Sequence, residues 1–247
     1  MKASPEAQLR LLELASIDAA LARLDRRRRT LPEIAEVSRL TARAAEVKDA
    51  ITLAETELAD LAREQNRAER DVEQVRMRIG RDTERLDEGK VSSAKELESL
   101  QSEVASLRKR QGDLEDVTLE VMERVEAAQA RRDEAGRQAD AVAAELAEVT
   151  RRRDAALAEI GEEEAKAAQE RGSVADGVPG DLLALYDRLR GQLGGAGAAM
   201  LRRGSCEGCH EALSTAELNQ VRASAPDEVL RHEECNRILV RTAESGL

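Results

Sequence analysis

The chain has 247 residues and a net charge of −11, with no Trp, no Phe and a single Tyr, which rules out a core packed around aromatic side chains. An acidic chain also lacks the general positive field that draws proteins to nucleic acid or to anionic membranes. Hydrophobic residues make up 41% and charged residues 36% of the chain, a composition typical of long helices and coiled coils.

The N-terminal residues predict a cytoplasmic protein without a membrane anchor. Residues 1–13 mix polar and apolar side chains and lack the layout of a secretory signal. No apolar run approaches the roughly 20 residues that span a bilayer. In the reducing cytoplasm, Cys206, Cys209 and Cys235 should stay reduced, so a metal site is favoured over disulfides.

The first half of the chain carries a coiled-coil pattern. Apolar or small residues from Val47 to Leu86 recur at alternating spacings of four and three, and the stretch Leu14–Leu31 follows the same rule. This period keeps one narrow stripe facing a partner helix. Thr30, Pro32 and Glu33 predict a break near residues 30–32, although a Pro tolerated in a bent helix is the alternative.

A second series runs in one register from Leu97 to Ile160. Between the two series, Gly89 suits the left-handed residue that ends a helix. Ser93 and Glu96 form a candidate capping box, which predicts that a second helix begins there. We therefore predict a mostly α fold with a long antiparallel coiled-coil helical hairpin over residues 1–171 and a tip near residues 87–94.

The C-terminal part has a different composition. Several Gly residues and Pro179 predict a linker over residues 172–180. Residues 181–247 then hold a short helix and a compact segment. Because so small a segment cannot bury a sufficient aliphatic core, it requires another source of stability.

Two pairs of residues that commonly bind metal provide a possible source of that stability. Each pair has a spacing of two intervening residues, and two such turns facing each other form the tetrahedral site of structural zinc. The expected ligands of one structural zinc ion are Cys206, Cys209, His232 and Cys235. His210, Glu234 or a water are alternatives for the fourth ligand. Four protein ligands leave no open position for catalysis, so we predict a small C-terminal zinc-ribbon domain.

Three stretches of the chain resemble a known bacterial family, namely Leu86–Leu97, Pro179–Tyr186 and Glu234–Val240. The family comprises coiled-coil proteins with a C-terminal zinc ribbon of the four-cysteine type, and the resemblance covers nearly the whole chain. It implies a cytoplasmic, non-enzymatic protein. Some relatives are chaperone-like adaptors of flagellar or type III secretion assembly, and others bind RNA. Members typically carry a second CxxC where this chain has His232 and Cys235.

We weigh three functions. The first is an adaptor or scaffold that binds partner proteins, because a long hairpin with an autonomous head presents extended surfaces. The second is binding of RNA or DNA through a collar of arginines that the hairpin register places at one level, with Arg28 level with about Arg153. The collar residues are Arg26, Arg27, Arg28, Arg29, Arg151, Arg152 and Arg153. Nearby acidic residues such as Asp25 and Asp154 could instead neutralise them.

The third function is a redox enzyme that uses Cys206 and Cys209. The chain has only two His, both near the metal motif, and no Gly-rich phosphate loop. We therefore expect that the protein is not an enzyme, that it has no small-molecule substrate and that it does not bind a membrane.

Overall fold

The structure, a computed structural model, describes residues 1–247. The helices are α1 (Pro5–Arg29), α2 (Pro32–Asp87), α3 (Ala94–Ala175), α4 (Gly180–Leu193) and α5 (Thr215–Ala223). The strands are β1 (Ala198–Arg202), β2 (Ser205–Cys206), β3 (Leu230–Arg231) and β4 (Ile238–Val240). The long helical hairpin and the small strand-containing C-terminal region confirm the predicted fold class. None of the helices combines the length and the apolar composition that crossing a bilayer requires.

The chain divides into two compact units, which are described separately. Unit 1 comprises Met1–Ala35 and Thr150–Leu247, and unit 2 comprises Glu36–Val149.

Unit 2 is held by a narrow apolar seam along α2 and α3. The buried residues of α2 recur almost strictly every seven positions, as Leu40, Val47, Ala54, Leu61, Ala68 and Val72. The buried residues of α3 in this unit are Leu100, Val104, Val121, Ala128, Ala135 and Val149. A seven-residue repeat of burial is the signature of coiled-coil packing. Exposed ion pairs join the two helices beside the seam, among them Arg131 to Glu57 at 2.7 Å.

The tip of the hairpin consists of residues 88–93. Gly89 has a φ of 65°, a conformation that glycine adopts without a steric penalty. The Ser93 hydroxyl accepts a hydrogen bond from the Glu96 N–H at 3.2 Å. The Glu96 carboxylate accepts from the Ser92 N–H at 2.9 Å, one residue earlier than a standard capping box would have it. Together these bonds restart the helix after the turn.

Two separate helices, α1 and α2, precede the tip, with Thr30 and Leu31 between them. The Thr30 hydroxyl donates to the Arg26 carbonyl at 2.9 Å and so caps the end of α1. Pro32 begins α2, where its missing N–H costs nothing. Thr30 and Glu33, whose spacing also suits a capping box, do not form one, because α2 begins at Pro32 and Leu31 therefore occupies the capping position.

Unit 1 has a mixed core. One cluster joins α1, α4 and the sheet, and its fully buried members include Leu11, Leu14, Leu182, Tyr186 and Ile238. The four strands are ordered β2-β1-β4-β3, with β1 parallel to β4 and antiparallel to β2. The N-terminus is also fixed here, since the Ala3 N–H donates to the Asp227 carbonyl at 2.8 Å.

The segment predicted as a linker over residues 172–180 differs from that expectation. Helix α3 continues to Ala175, and Val178 is buried in the core of unit 1. Val174 and Ala175 pack against the same core. Because Val174 and Ala175 belong to the last turn of α3, their packing offsets the roughly 1 kcal/mol that a glycine costs inside a helix. The helix therefore passes through Gly172.

Candidate metal centre

Two short turns in unit 1 present the predicted zinc ligands. Cys206 ends β2, which pairs with β1, and Cys209 follows three residues later. His232 follows β3, and Cys235 precedes β4. Each turn is closed by a backbone hydrogen bond, from His210 N–H to the Cys206 carbonyl at 2.7 Å and from Asn236 N–H to the His232 carbonyl at 2.8 Å.

In each turn the residue after the second ligand has a left-handed backbone. His210 has a φ of 65° and Asn236 a φ of 63°. Few residues other than glycine adopt this conformation readily, and Asn and His are among those that do. The two turns are therefore built alike although their sequences differ, which allows them to face each other as a pair.

The four predicted ligand atoms converge. The side-chain ligand atoms of Cys206, Cys209, His232 and Cys235 all lie within 4.8 Å of one another. Cys206 Sγ lies 3.9 Å from Cys235 Sγ, and His232 Nδ1 lies 3.4 Å from Cys209 Sγ and 3.2 Å from Cys235 Sγ. Bond lengths of about 2.3 Å to sulfur and 2.0 Å to nitrogen in a tetrahedron separate the ligands by about 3.5–3.8 Å. The donor set and its spacing thus fit one zinc ion.

His232 is brought to the cysteines, whereas the alternative fourth ligands are not. His232 is 1% exposed, and its Nδ1 faces the sulfurs. His210 and Glu234 are exposed and lie outside the cluster. The His232 Nε2 atom is buried without a hydrogen-bond partner. Ligation of a metal through Nδ1 would place the ring proton on Nε2 and would supply the bond that holds this buried ring in position.

The cysteines differ in their electrostatic surroundings. Burial raises the pKa of the Cys206 thiol to about 11. Burial also acts to raise the pKa of Cys235, but hydrogen bonds from the Arg237 backbone and from His232 outweigh it and lower that pKa to about 6. N–H groups aimed at the sulfur stabilise its thiolate, the form that binds metal.

The cluster is built into a small core of its own. Cys206 is fully buried beside Leu201, Leu213 and Leu239, and Cys209 and Cys235 pack against the same group. Helix α5, which supplies Val221 to this core, begins at a capping box of Ser214 and Glu217. This core is too small to be stable through aliphatic burial alone. Ligands placed inside it are therefore suited to a metal ion that stabilises the fold.

The predicted arginine collar is not gathered at one level, and this part of the prediction is wrong. Arg28 bonds Glu164 at 2.5 Å, and Glu164 lies roughly three helical turns beyond Arg153 along α3. Arg27 likewise bonds Glu163 at 3.2 Å. The register prediction counted equally from a turn at residue 90. Between α2 and α3 the pairing already departs from that count, since Glu57 pairs with Arg131, whereas equal counting would place Glu57 level with Glu123.

Acidic residues also neutralise several members of the collar. Arg29 pairs with Asp25, and Arg153 pairs with Asp154 at 2.8 Å. These are the two acids that the sequence offered as the alternative partners. Four of the seven arginines that were expected to grip phosphates thus bind carboxylates of their own chain, namely Arg27, Arg28, Arg29 and Arg153.

Sequence analysis missed a buried polar cluster in unit 1. Asp18 is 2% exposed, and its carboxylate accepts from Tyr186 Oη at 2.7 Å and from Arg171 Nε at 2.8 Å. Arg190 Nε lies 3.2 Å from the same carboxylate. Burial and the bond to Asp18 raise the pKa of Tyr186. The cluster joins α1, α3 and α4, and the chain's one Tyr was the available signal for it.

Comparison with known proteins agrees with both parts of the molecule. Residues 14–194 match the CT398-like coiled coil hairpin domain, and residues 205–239 match the C4-type zinc ribbon domain. An uncharacterized protein of Mycobacterium tuberculosis is 37% identical over 98% of both chains. A solved structure from Mycobacterium smegmatis is 35% identical, with a TM-score of 0.85 over 98% of this chain and 100% of that chain. CT398 of Chlamydia trachomatis shares the fold at 18% identity, with a TM-score of 0.71 over 96% and 98% of the two chains.

Proposed function

The chain belongs to the family of proteins with a CT398-like coiled coil hairpin domain, and from that premise we propose that it is a non-enzymatic, zinc-binding adaptor that binds partner proteins in the cytoplasm. The zinc ion has a structural role in this proposal, and the hairpin provides the binding surface. The division of the chain into a hairpin and a C-terminal ribbon remains part of the proposal, without the linker predicted over residues 172–180, because α3 continues to Ala175.

The proposed zinc ligands are Cys206, Cys209, His232 and Cys235. Their mutual distances and the burial of Cys206 and His232 support this set. The chain matches a C4-type ribbon with one histidine in place of a cysteine, and Cys3His sites are common among structural zinc sites. With all four positions of the tetrahedron filled by the protein, the metal would hold the two turns together without activating water.

The observation that carries the adaptor role is a set of aliphatic side chains exposed on the hairpin helices, outside the seam. They are Leu53, Met77, Val117, Leu119 and Met122, between 41% and 72% exposed. Leu53 is the most exposed, at 72%. Single exposed aliphatic residues are ordinary on a protein surface, whereas a concentration of them marks a site that binds other proteins. The concentration of Val117, Leu119 and Met122 within two turns of α3 is therefore the part of this set that supports the adaptor role.

A crosslinked pull-down of the intact chain from its own cells tests the adaptor role. We expect partner proteins that survive nuclease treatment and that are lost from a Leu53→Lys/Val117→Lys variant. The matched control is Lys48→Ala/Lys109→Ala, which changes two exposed side chains without removing an aliphatic one. Partners that the double Lys variant retains in full would contradict the proposal.

Nucleic-acid binding through the seven arginines is the competing function. Replacing Arg26–Arg29 and Arg151–Arg153 with Gln should leave the protein partners unchanged if the adaptor proposal is right. A salt-sensitive affinity for RNA or DNA that this variant loses would favour the competing function, because phosphate contacts weaken steeply with salt.

A thiol titration with and without chelator addresses a redox role of Cys206 and Cys209. Thiolates bound to zinc should react only after the metal is removed. Rapid reaction of two thiols in the zinc-loaded protein would contradict a purely structural site.

A further inference from the structure

The outer face of α2 in unit 2 carries a row of arginines, which we name the basic stripe. Its members are Arg63, Arg67, Arg70 and Arg81, all exposed. Their spacing places them on one helix face, directed away from the buried seam residues. Arg63 pairs with Asp60 one turn earlier on the same helix. The other three members have no carboxylate partner: Arg67 and Arg81 form no ion pair, and Arg70 Nε donates only to the backbone carbonyl of Asn66 at 2.8 Å.

The outer face of α3 carries the opposite charge in a row that we name the acidic stripe. Its members are Asp113, Asp116, Glu120 and Glu123, all exposed and without an ion pair. From residue 111 to residue 123 the chain contains no Lys or Arg. This stripe too occupies the face away from the seam, whose nearest member is Val121.

The separation of charges in the two stripes contrasts with the rest of unit 2. Elsewhere, acids and bases alternate and pair within or between the helices, as Arg124 with Glu64 at 3.1 Å and Arg131 with Glu57 at 2.7 Å. Like charges three or four residues apart destabilise the helix that bears them. A face that only contacted water would be more stable with mixed charges, so each stripe fits a partner of opposite sign.

The two stripes lie at the same level of the hairpin. Arg76, between Arg70 and Arg81, bonds Glu115, between Asp113 and Asp116, at 3.3 Å. Exposed aliphatic residues accompany both stripes, with Met77 on the basic face at 55% exposure and Leu119 beside the acidic face at 58%. The two faces therefore complement each other in charge, level and apolar content.

We propose that the basic stripe of one copy of this chain binds the acidic stripe of a second copy. The stripes occupy opposite outer faces of the hairpin, so a pair of copies cannot satisfy both at once. The contact is heterologous, and each associated pair leaves one stripe of each sign open for further copies. The protein thus forms side-by-side assemblies whose size grows with concentration.

Ionic strength decides between attraction at the stripes and repulsion between acidic chains. The net charge of −11 repels two copies at long range. At about 0.15 M salt the Debye length is about 8 Å, which screens distant charges more than pairs in direct contact. Self-association is therefore expected at about 0.15 M salt and lost near 1 M, where screening extends to about 3 Å.

This inference rests on the proposed adaptor function, since it assigns one partner to the outer faces of the hairpin. The self-association proposal and the adaptor proposal can fail separately. Sedimentation of the purified chain reports only self-association, whereas the pull-down reports other proteins.

Sedimentation velocity of the full chain with charge-reversed variants tests the proposal. We expect Arg63→Glu/Arg67→Glu/Arg70→Glu and Asp113→Lys/Asp116→Lys/Glu120→Lys each to weaken self-association by about tenfold or more. A mixture of the two variants should associate again, because each then supplies the charge that the other lacks. A chain carrying both sets of reversals should also self-associate.

The matched control is Arg43→Glu/Lys48→Glu/Arg137→Glu, which changes the net charge as much as the α2 reversal does but lies outside both stripes. It should associate like the original chain, and circular dichroism should report the same helix content for all variants. A chain that stays monomeric at every salt concentration would overturn the proposal, as would stripe variants that associate like the control. The proposal would also be overturned if the chain is monomeric and binds a different protein or an RNA that the α2 reversal no longer binds. The basic stripe would then be the binding site for that partner.

Discussion

Unit 2 is stabilised by one contact that repeats along two helices, whereas unit 1 depends on contacts that each occur once. In unit 2, Leu40, Val47 and Leu61 occupy equivalent positions of the same seam. In unit 1, Asp18 and the ligand cluster at Cys206 have no equivalent elsewhere. Repetition spreads the effect of a substitution over neighbours of the same kind, so the largest losses should follow from changes in unit 1.

Removing one zinc ligand should have the largest effect. Cys206→Ser should abolish stoichiometric zinc binding and disorder the strands of unit 1, because metal binding contributes about 10–16 kcal/mol to the folding of small zinc domains. Zinc content and near-ultraviolet circular dichroism from Tyr186, which packs in the adjoining core, would report the loss.

His210→Gly is the matched control for that variant. His210 is exposed and left-handed, so glycine fits its backbone, and zinc content should not change. Loss of zinc from the control with retention in His232→Ala would show that the wrong histidine has been assigned.

Breaking the buried polar cluster should have the next largest effect. Asp18→Ala leaves Arg190 and Tyr186 without their buried acceptor, and we expect a loss of about 3–5 kcal/mol in the free energy of unfolding. Urea unfolding measures it. Arg28→Gln breaks the exposed pair with Glu164 instead and should cost about 0–1 kcal/mol. Similar losses in both variants would mean that burial does not distinguish the two sites.

Truncating a residue of the apolar seam in unit 2 should have the third largest effect on stability. Leu61 is 2% exposed, and Leu61→Ala should lower the free energy of unfolding by about 2–5 kcal/mol. Leu53→Ala, at a residue that is 72% exposed on the same helix, should change it by less than about 0.5 kcal/mol. Thermal unfolding followed at the helical signal measures both. A cost at Leu53 that matches the one at Leu61 would contradict the assigned register of the seam.

The smallest effect is expected at the cap of α5. The Ser214 hydroxyl accepts from the Glu217 N–H at 3.2 Å, and Ser214→Ala should cost about 1 kcal/mol. Hydrogen exchange should accelerate within α5 and remain unchanged in α2. If hydrogen exchange in α5 is unchanged, the cap does not contribute to the stability of α5, which would then depend on the metal site.

The same contrast explains what could be predicted from the sequence. The seam of unit 2 follows a local period, so the period alone places residues such as Leu61 and Val121 in the buried seam. The convergence of Cys206 and His232 was also predictable, because the spacing of each pair is itself a local pattern. The left-handed residues His210 and Asn236 were not, since only the folded turns reveal that they are equivalent.

Long-range contacts account for what the sequence did not disclose. Asp18 lies far in sequence from Arg171 and Tyr186, so their bonds have no local signal. The continuation of α3 through Gly172 depends on the packing of Val174 and Ala175 against other elements of unit 1. The arginine register failed for a related reason, because it required the exact alignment of two helices and not merely their existence.

Hydrogen exchange of the intact chain, read by mass spectrometry with and without a zinc chelator, tests most directly whether the two units are stabilised independently. We predict that chelation removes protection from residues 198–240, which contain the strands and the ligand cluster, and leaves residues 40–149 of the hairpin unchanged. Protection that persists in residues 198–240 after complete removal of the metal would contradict a zinc-stabilised ribbon, and protection lost equally in both regions would contradict their independence.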